Sequence, residues 1–151
     1  MYLLSHIDQH PFITGKGDNA NLKKIISISI SPKDIIQLLT GRIPISHYDT
    51  AFISYTKESR KSLVLSYKNK ITEMIVLDSQ EQIQRIEVYT KNGDIAYDVE
   101  FLPSVPVLAF HLPQKFNISN TEGDSCSISI DKYVPNATYS PDIFVLKENG
   151  K

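Results

Sequence analysis

An alternation of apolar and polar residues between positions 85 and 102 is the clearest pattern in the chain. Side chains along a β-strand point to opposite faces in turn, so such a run has one apolar face and one polar face. Asn92 and Gly93 separate two alternating runs, and Asn-Gly favours a type I′ turn because both central residues of that turn need positive φ. The segment therefore predicts an antiparallel hairpin. Its apolar face holds Ile86, Val88, Ile95, Tyr97, Val99 and Phe101.

Shorter apolar runs on both sides of this hairpin predict further strands, with turns at residues 69–70 and 120–124. Three prolines within residues 103–113 predict a loop or an irregular edge segment, because proline cannot donate to a β-ladder. Residues 8–18 contain one proline and two glycines and predict a loop. The predicted strands span residues 2–7, 52–56, 62–68, 71–78, 115–119, 126–134 and 143–146.

Residues 31–41 carry the pattern of a short helix. Ser31 can cap its N-terminus, Pro32 suits the first helical position, and Gly41 tolerates the left-handed conformation that ends a helix. Isoleucines and leucines between them form a wide apolar face, so this helix must pack against another element. Residues 19–27 show a second helical spacing, with Leu22, Ile25 and Ile26 on one side.

These elements predict an α+β fold in a single domain spanning residues 1–151. About eight short strands in sequence-adjacent antiparallel pairs form one curved sheet, and one or two short helices pack on its concave face. A chain of this length can bury a substantial core.

The apolar side chains on the concave face are the candidate ligand-binding residues. One interpretation is an ordinary core filled by the 31–41 helix, and the other is a partly open cavity for an apolar ligand such as acyl chains. The candidate lining is Leu63, Leu65, Ile75, Leu77, Ile86, Val88, Tyr97, Val99 and Phe101 from the sheet, with Ile35 and Leu39 from the helix.

Composition excludes several classes of function. The 16 lysines and arginines nearly balance the 17 aspartates and glutamates, so no basic patch predicts nucleic-acid binding. The chain contains no run of eighteen apolar residues, so the sequence predicts no transmembrane helix. Cys126 is the one cysteine, which excludes an internal disulfide and a cysteine-only metal site.

The sequence holds no recognisable catalytic constellation. No G-x-S-x-G motif is present, and Cys126 lies among apolar neighbours as a small core residue. His6, Asp8 and His10 are close in sequence, but a solvated loop explains them better than a metal site. Alternation places Asp98 and Glu100 together on a solvated sheet face. The sequence therefore predicts a non-enzymatic protein with no catalytic residue, no metal and no cofactor.

The segment IIQLLTGRIPI at residues 35–45 resembles the helix and following L-x-G-x-[IV]-P of LolB-like outer-membrane lipoproteins. Leu112-Pro113, residues 128–132, Asn136 and residues 144–146 are similar to the closing strands of LolA/LolB-type proteins. The resemblance implies a half-open β-barrel with helices over its hollow, in the periplasm or at the outer membrane. It also implies that the hollow holds lipid or lipoprotein acyl chains during lipoprotein transport or insertion.

The chain departs from that family at its start. It shows no signal peptide and no lipidated N-terminal cysteine, and Tyr2 to Ile7 already has the pattern of a strand. This start predicts either the C-terminal part of a longer lipoprotein or a start codon placed too late. A partial barrel of this kind would leave an unpaired sheet edge near Tyr2–Ile7 or Ser62–Lys68. Exposed edges invite pairing, which predicts a homodimer.

Three functions follow from these patterns. The first is non-enzymatic binding of lipid or lipoprotein acyl chains in an apolar hollow. The alternative is a protein–protein interaction or scaffold domain whose core is closed by its own helix. An enzyme ranks last, because it needs polar groups that converge inside the hollow, and only Tyr97 among the inward residues supplies one.

Overall fold

The computed structural model describes residues 2–3, 13–14, 26–102, 104–107, 110–134 and 138. The predicted helix is present as α1 (Pro32–Leu39). The strands are β1 (Tyr2–Leu3), β2 (Ile13–Thr14), β3 (Thr50–Tyr55), β4 (Lys61–Tyr67), β5 (Lys70–Leu77), β6 (Ile83–Tyr89), β7 (Ile95–Phe101), β8 (Ser104–Val107), β9 (Phe110–Pro113), β10 (Lys115–Ser119) and β11 (Ser125–Ser129).

Seven of these strands form one open antiparallel sheet in the order β11-β10-β7-β6-β5-β4-β3. Neighbours in the sheet are neighbours in sequence except at β7 and β10, between which β8 and β9 form a two-stranded sheet of their own. Bulges interrupt the pairing of β4 with β5, β5 with β6 and β6 with β7. Because bulges bend a strand and increase its twist, they suit a curved sheet. The predicted antiparallel α+β class is confirmed.

The loop between β6 and β7 is not the type I′ turn that Asn92-Gly93 predicts. Gly93 has a φ of 94°, but Asn92 does not have positive φ, and the amide of Gly93 donates to the carbonyl of Thr90. This is a three-residue loop in which the last residue is left-handed, the next most common hairpin connection. A hydrogen bond from the amide of the residue before the loop to the carbonyl of the residue after it closes this loop and three others among the described residues. The four pairs are Thr56–Arg60, Asp78–Gln82, Thr90–Asp94 and Asn120–Asp124.

The β4–β5 connection is the tight two-residue turn. Lys68 and Asn69 have φ of 51° and 60°, as a type I′ turn requires, and Tyr67 pairs with Lys70. The turn predicted at residues 69–70 therefore lies one residue earlier in the chain. Asp49 supports it, since Oδ2 of its carboxylate accepts a hydrogen bond from the amide of Lys68 at 2.9 Å.

Helix α1 begins and ends as its sequence predicts. Oγ of Ser31 accepts the amide hydrogen of Asp34 at 3.0 Å, and Pro32 occupies the first turn. Gly41, with a φ of 71°, follows the C-cap Thr40. Capping of this kind fixes where the helix enters and leaves the surface of the sheet.

One face of the sheet and the segment from residue 26 to α1 enclose the hydrophobic core. Ile28, Ile30 and Leu38 are buried from the helical side. Facing them from the sheet are the buried residues Ile75, Ile86, Tyr97, Val99, Phe116 and Ile118. The predicted strand face of Cys126, Ile128 and Ile130 packs against the same core.

Several predicted boundaries are wrong. Residues 104–107 and 110–113, predicted as a loop or an irregular edge segment, form a regular antiparallel pair of strands, and β11 ends at Ser129 rather than at residue 134. Within the predicted loop 8–18, Ile13–Thr14 pairs with Tyr2–Leu3. The rest of the predicted strand 2–7, most of the helix 19–27 and the strand 143–146 lie outside the described residues.

The predicted sheet edge at Ser62–Lys68 is also wrong, because β4 pairs with β3 on one side and with β5 on the other. In the part of the chain that the structure describes, β3 and β11 are the outermost strands of the large sheet. Over the same residues, no helix has the length and apolar character needed to cross a membrane.

Candidate functional site

The predicted apolar lining lies together on the core side of the sheet. Within it, Ile75, Ile86, Tyr97 and Val99 are buried members of the core itself. Leu65 is also buried, with 3% of its surface exposed. The half-buried members that pack against the core are Leu63, Leu77, Val88, Phe101, Ile35 and Leu39.

Cross-strand register explains why these side chains meet. Leu63 pairs with Ile75, Ile75 with Ile86, and Ile86 with Val99. Directly paired residues of antiparallel strands have their side chains on the same face, so this row runs straight across four strands beneath α1. Leu38 of the helix is completely buried in the same cluster. Side chains of the sheet and of α1 therefore pack directly against each other along this row.

Glu73 is a polar member of this face that the sequence interpretation missed. It pairs with Leu65 on one side and with Val88 on the other, and it is fully buried. Its Oε2 accepts the amide hydrogen of Ser46 at 2.7 Å, while Oε1 has no hydrogen-bond partner among the described residues. Burial raises the pKa of this carboxyl. The hydrogen bond from Ser46 lowers the pKa and the charge of Asp34 raises it, and the net effect is a pKa above the ordinary value.

The signal for Glu73 was present in the alternation. Ile75 and Leu77 were placed on the inner face, and period two places Glu73 on the same face. Carboxylates are usually exposed, so alternation alone does not identify Glu73 as a buried residue.

Tyr97 and Asp34 join the sheet to the helix near Glu73. The hydroxyl of Tyr97 donates to Oδ2 of Asp34 at 3.3 Å. Burial raises the pKa of this hydroxyl, and the charges of Asp34 and Glu73 raise the pKa further, so Tyr97 remains a hydrogen-bond donor. The three polar groups hold the helix and the segment at residue 46 against the sheet.

The polar face of the sheet carries a second cluster. Nη2 of Arg85 lies 3.3 Å from a carboxylate oxygen of Glu87 and 3.3 Å from one of Asp98. Oγ of Ser119 donates to Asp98 at 2.6 Å, and the hydroxyl of Tyr89 donates to Glu87 at 2.5 Å. Asp98, expected on a solvated face, is thus largely covered and paired. These groups satisfy one another, as in a structural ion network.

Two open clefts are lined by described residues. One, of about 400 Å³, lies on the polar face between the β3–β4 loop and β6, with Arg60, Arg85 and Glu100 in its wall. The other, of about 910 Å³, lies at one end of the sheet, where Arg42 and Ile43 face the loop after Asp78. Of the predicted lining residues, Phe101 contributes to the second cleft.

The outer edge at β3 is unusually apolar for an exposed strand. Phe52, Ile53 and Tyr55 have 46%, 51% and 69% of their surfaces exposed. The strand sequence TAFISY contains no charged residue and no proline. Natural edge strands commonly carry such residues to prevent pairing with other chains. The β3 edge, defined here as Thr50–Tyr55, lacks those protective features.

Metal-binding groups do not come together in the described part of the chain, where no three His, Cys, Asp or Glu side chains cluster. His6, Asp8 and His10 lie outside the described residues. Cys126 is half-buried and packs against the core, as a small core residue does.

No family and no curated protein matches the sequence. A crystal structure of a mutant of S. aureus TarM, in complex with fondaparinux, alpha-GlcNAc-glycerol and UDP, resembles 72% of this chain at 18% sequence identity and a TM-score of 0.34. The match covers 21% of the TarM chain. A likeness of this size carries no functional argument.

Proposed function

We propose that this chain is a non-enzymatic protein–protein interaction module in which a closed core supports the β3 edge, and that this edge pairs with an extended segment of a partner. The observation that carries the proposal is the contrast along one face of the sheet. Ile75, Ile86 and Val99 have at most 4% of their surfaces exposed, whereas Ile53, in the same row, has 51% exposed.

The packing of α1 supports a closed core. Leu38 is completely buried against the sheet, and the first turn of the helix is held through Tyr97 and Asp34. Acyl chains could reach the buried residues Ile75, Ile86 and Val99 only if α1 moved away and these contacts were lost. Acyl-chain binding, with the LolA/LolB resemblance and the periplasmic or outer-membrane location it implies, stays a prediction that requires this opening.

The hydrogen-bond pattern between β3 and β4 determines which backbone groups of β3 point outward and can bind another strand. The amide of Thr56 donates to the carbonyl of Arg60, so this pair sets the phase of the β3–β4 ladder. In an antiparallel ladder the backbone groups of alternate residues point to the same side. Ala51, Ile53 and Tyr55 therefore direct their amides and carbonyls away from β4. These are the groups that bind an added strand in β-augmentation.

Side chains add apolar area to that edge. Ile53 and Tyr55 lie on the core side of the sheet and Phe52 on the opposite side, since Phe52 pairs with Val64 and Ile53 with Leu63. An added strand would cover side chains on both faces, and backbone bonds and side-chain burial would then act together.

Binding of a synthetic strand tests this function. The probe is a fluorescein-labelled peptide of alternating valine and threonine, and fluorescence anisotropy measures its binding. Ile53→Pro removes an outward amide hydrogen without removing a bond to β4, whereas Ile53→Val keeps that amide. We expect wild type and Ile53→Val to bind the peptide at least about tenfold more tightly than Ile53→Pro, a difference that corresponds to about 1.4 kcal/mol. Equal binding by the two variants contradicts the proposal.

A displacement titration with a fluorescent fatty acid tests the competing hypothesis on the same protein. A closed core predicts no saturable signal. Saturable binding that is weakened by Ile86→Phe, a larger residue in the buried row, but not by Ile53→Pro would favour acyl-chain binding instead.

A further inference from the structure

We infer that the partner strand at the β3 edge is β3 of a second copy of this chain, paired antiparallel about a two-fold axis through Ile53. This inference rests on the proposed function and names the occupant of its docking surface. Two copies related in this way would join their seven-stranded sheets through the exposed edge. The symmetry makes residues whose numbers add to 106 lie opposite each other.

Backbone phase permits this register. Ala51, Ile53 and Tyr55 carry the outward amides and carbonyls, as the β3–β4 ladder requires. About the axis, Ile53 pairs with Ile53 of the second copy, and Ala51 pairs with Tyr55 of the second copy. Every outward group of the strand then faces another outward group. A register shifted by one residue would set outward groups against inward ones and form no ladder.

Charge complementarity at the two ends of the strand favours this register among those that the hydrogen-bond pattern allows. Asp49 precedes the strand and Lys57 follows it, and both are exposed. Asp49 lies at the bend before β3, where its carboxylate also accepts the amide hydrogen of Lys68, and Lys57 begins the β3–β4 loop. In the proposed register these two residues flank the paired strands opposite each other at both ends of the interface. Shifts of two residues place Asp49 opposite Tyr55 or place Lys57 opposite Ala51, so the charge pairing is lost. Opposite charges across a strand pair are favourable.

Side-chain size also fits the register. Tyr55, 69% exposed, lies opposite the small Ala51 of the second copy, and Phe52, 46% exposed, lies opposite Ser54. Large residues thus meet small ones on both faces of the joined sheet. A strand with three exposed large apolar residues and no charge of its own is complementary to itself in this arrangement.

Sedimentation equilibrium at about 10 µM to about 1 mM protein measures the association. We expect wild type and Ile53→Val to form a dimer within this range. Ile53→Pro should weaken the association at least about tenfold, and circular dichroism provides the check that it remains folded. A wild-type dimer that Ile53→Pro leaves unchanged overturns the inference, because the interface then lies elsewhere.

Spin labels measure the register directly. Thr50→Cys carries the nitroxide, and Cys126→Ser removes the native thiol. The two labelled positions are six residues apart along the joined strands, so their backbone separation is about 20 Å, and the distance between the two nitroxides measured by electron–electron dipolar spectroscopy should centre near this value. Registers shifted by two residues predict about 14 Å or about 27 Å, and either result overturns the inference.

The synthetic-strand experiment separates failure of this inference from failure of the proposed function. A monomeric protein that binds the valine–threonine peptide overturns the second copy as the occupant and keeps the edge as a docking surface. A monomeric protein that also fails to bind the peptide overturns both. A dimer with the predicted label separation and sensitivity to Ile53→Pro supports both.

Discussion

The hydroxyl of Tyr97 donates a hydrogen bond to the carboxylate of Asp34 across 3.3 Å, and the two residues are 63 positions apart in sequence. This bond joins β7 to the first turn of α1. It adds a polar contact to a largely apolar interface and holds the start of α1 against β7. The closed core therefore depends on hydrogen bonds between helix and sheet as well as on the burial of apolar side chains.

Removal of the Tyr97 hydroxyl should weaken the helix–sheet contact without leaving a large void. Tyr97→Phe keeps the ring and leaves Asp34 able to reach water, so we expect a loss of about 1 kcal/mol in the free energy of unfolding. Urea denaturation followed by circular dichroism measures the loss. Tyr48→Phe, at an exposed position, is the matched control and should change stability by less than about 0.5 kcal/mol.

Buried Glu73 should make stability depend on pH. Its pKa in the folded protein is raised above the ordinary value of 4.5, mainly by burial. Between 4.5 and the raised value, the unfolded chain has lost the proton that the folded chain keeps. Stability from this group is therefore greatest below pH 4.5 and falls as the pH rises towards the folded-state pKa.

Glu73→Gln tests that dependence because glutamine cannot ionise. We expect the free energy of unfolding of this variant to stay flat over the pH range in which the wild-type value falls. Glu100→Gln, at an exposed position, should retain the wild-type profile. Parallel profiles for wild type and Glu73→Gln would show that the carboxyl does not titrate as the structure indicates.

Ile86 lies at the centre of the buried row and is completely inaccessible. Ile86→Ala removes three carbons from a packed site, so we expect a loss of about 2–5 kcal/mol in the free energy of unfolding. Ile36→Ala on the exposed side of α1 should cost less than about 0.5 kcal/mol. Similar small effects at both positions, measured by urea denaturation, would mean that the row is not closed by the helix.

The cap of α1 should contribute to the same packing. Ser31→Ala removes the acceptor for the amide of Asp34, and we expect a loss of about 1 kcal/mol in the free energy of unfolding. Ser29→Ala, two residues earlier and exposed, is the control and should be near neutral. A cap variant as stable as the control would indicate that docking alone holds the helix.

Local patterns were sufficient to predict most of the large sheet. Period-two alternation placed Ile86, Val88, Tyr97 and Val99 on one face, and the pairing of Ile86 with Val99 confirms it. The serine, proline and glycine signals fixed both ends of α1. These signals depend on neighbours within a few residues, so the sequence expresses them directly.

Local sequence patterns do not determine the order of the strands in the sheet. The sequence predicts an edge at Ser62–Lys68, but β4 is internal, and β3 is one of the two outermost strands of the large sheet among the described residues. The segment TAFISY has no charge or proline that identifies an edge. Glu73 was missed for a related reason, since its burial depends on the Ser46 amide, which lies 27 residues away in sequence.

The type of hairpin loop was also mispredicted from the sequence. Asn92-Gly93 favours a two-residue turn, yet the structure uses a three-residue loop in which only Gly93 is left-handed. Either loop leaves a strand on each side, and the choice depends on which residues pair. The bulge at Val88/Tyr89 adjusts that register.

Methyl nuclear Overhauser spectroscopy in the presence of excess long-chain fatty acid tests the central claim most directly. A core closed by α1 predicts that contacts among the methyl groups of Leu38, Ile86 and Val99 are present and remain unchanged when the fatty acid is added. Loss of these contacts, together with new ones between Ile86 or Val99 and the acyl chain, would contradict it.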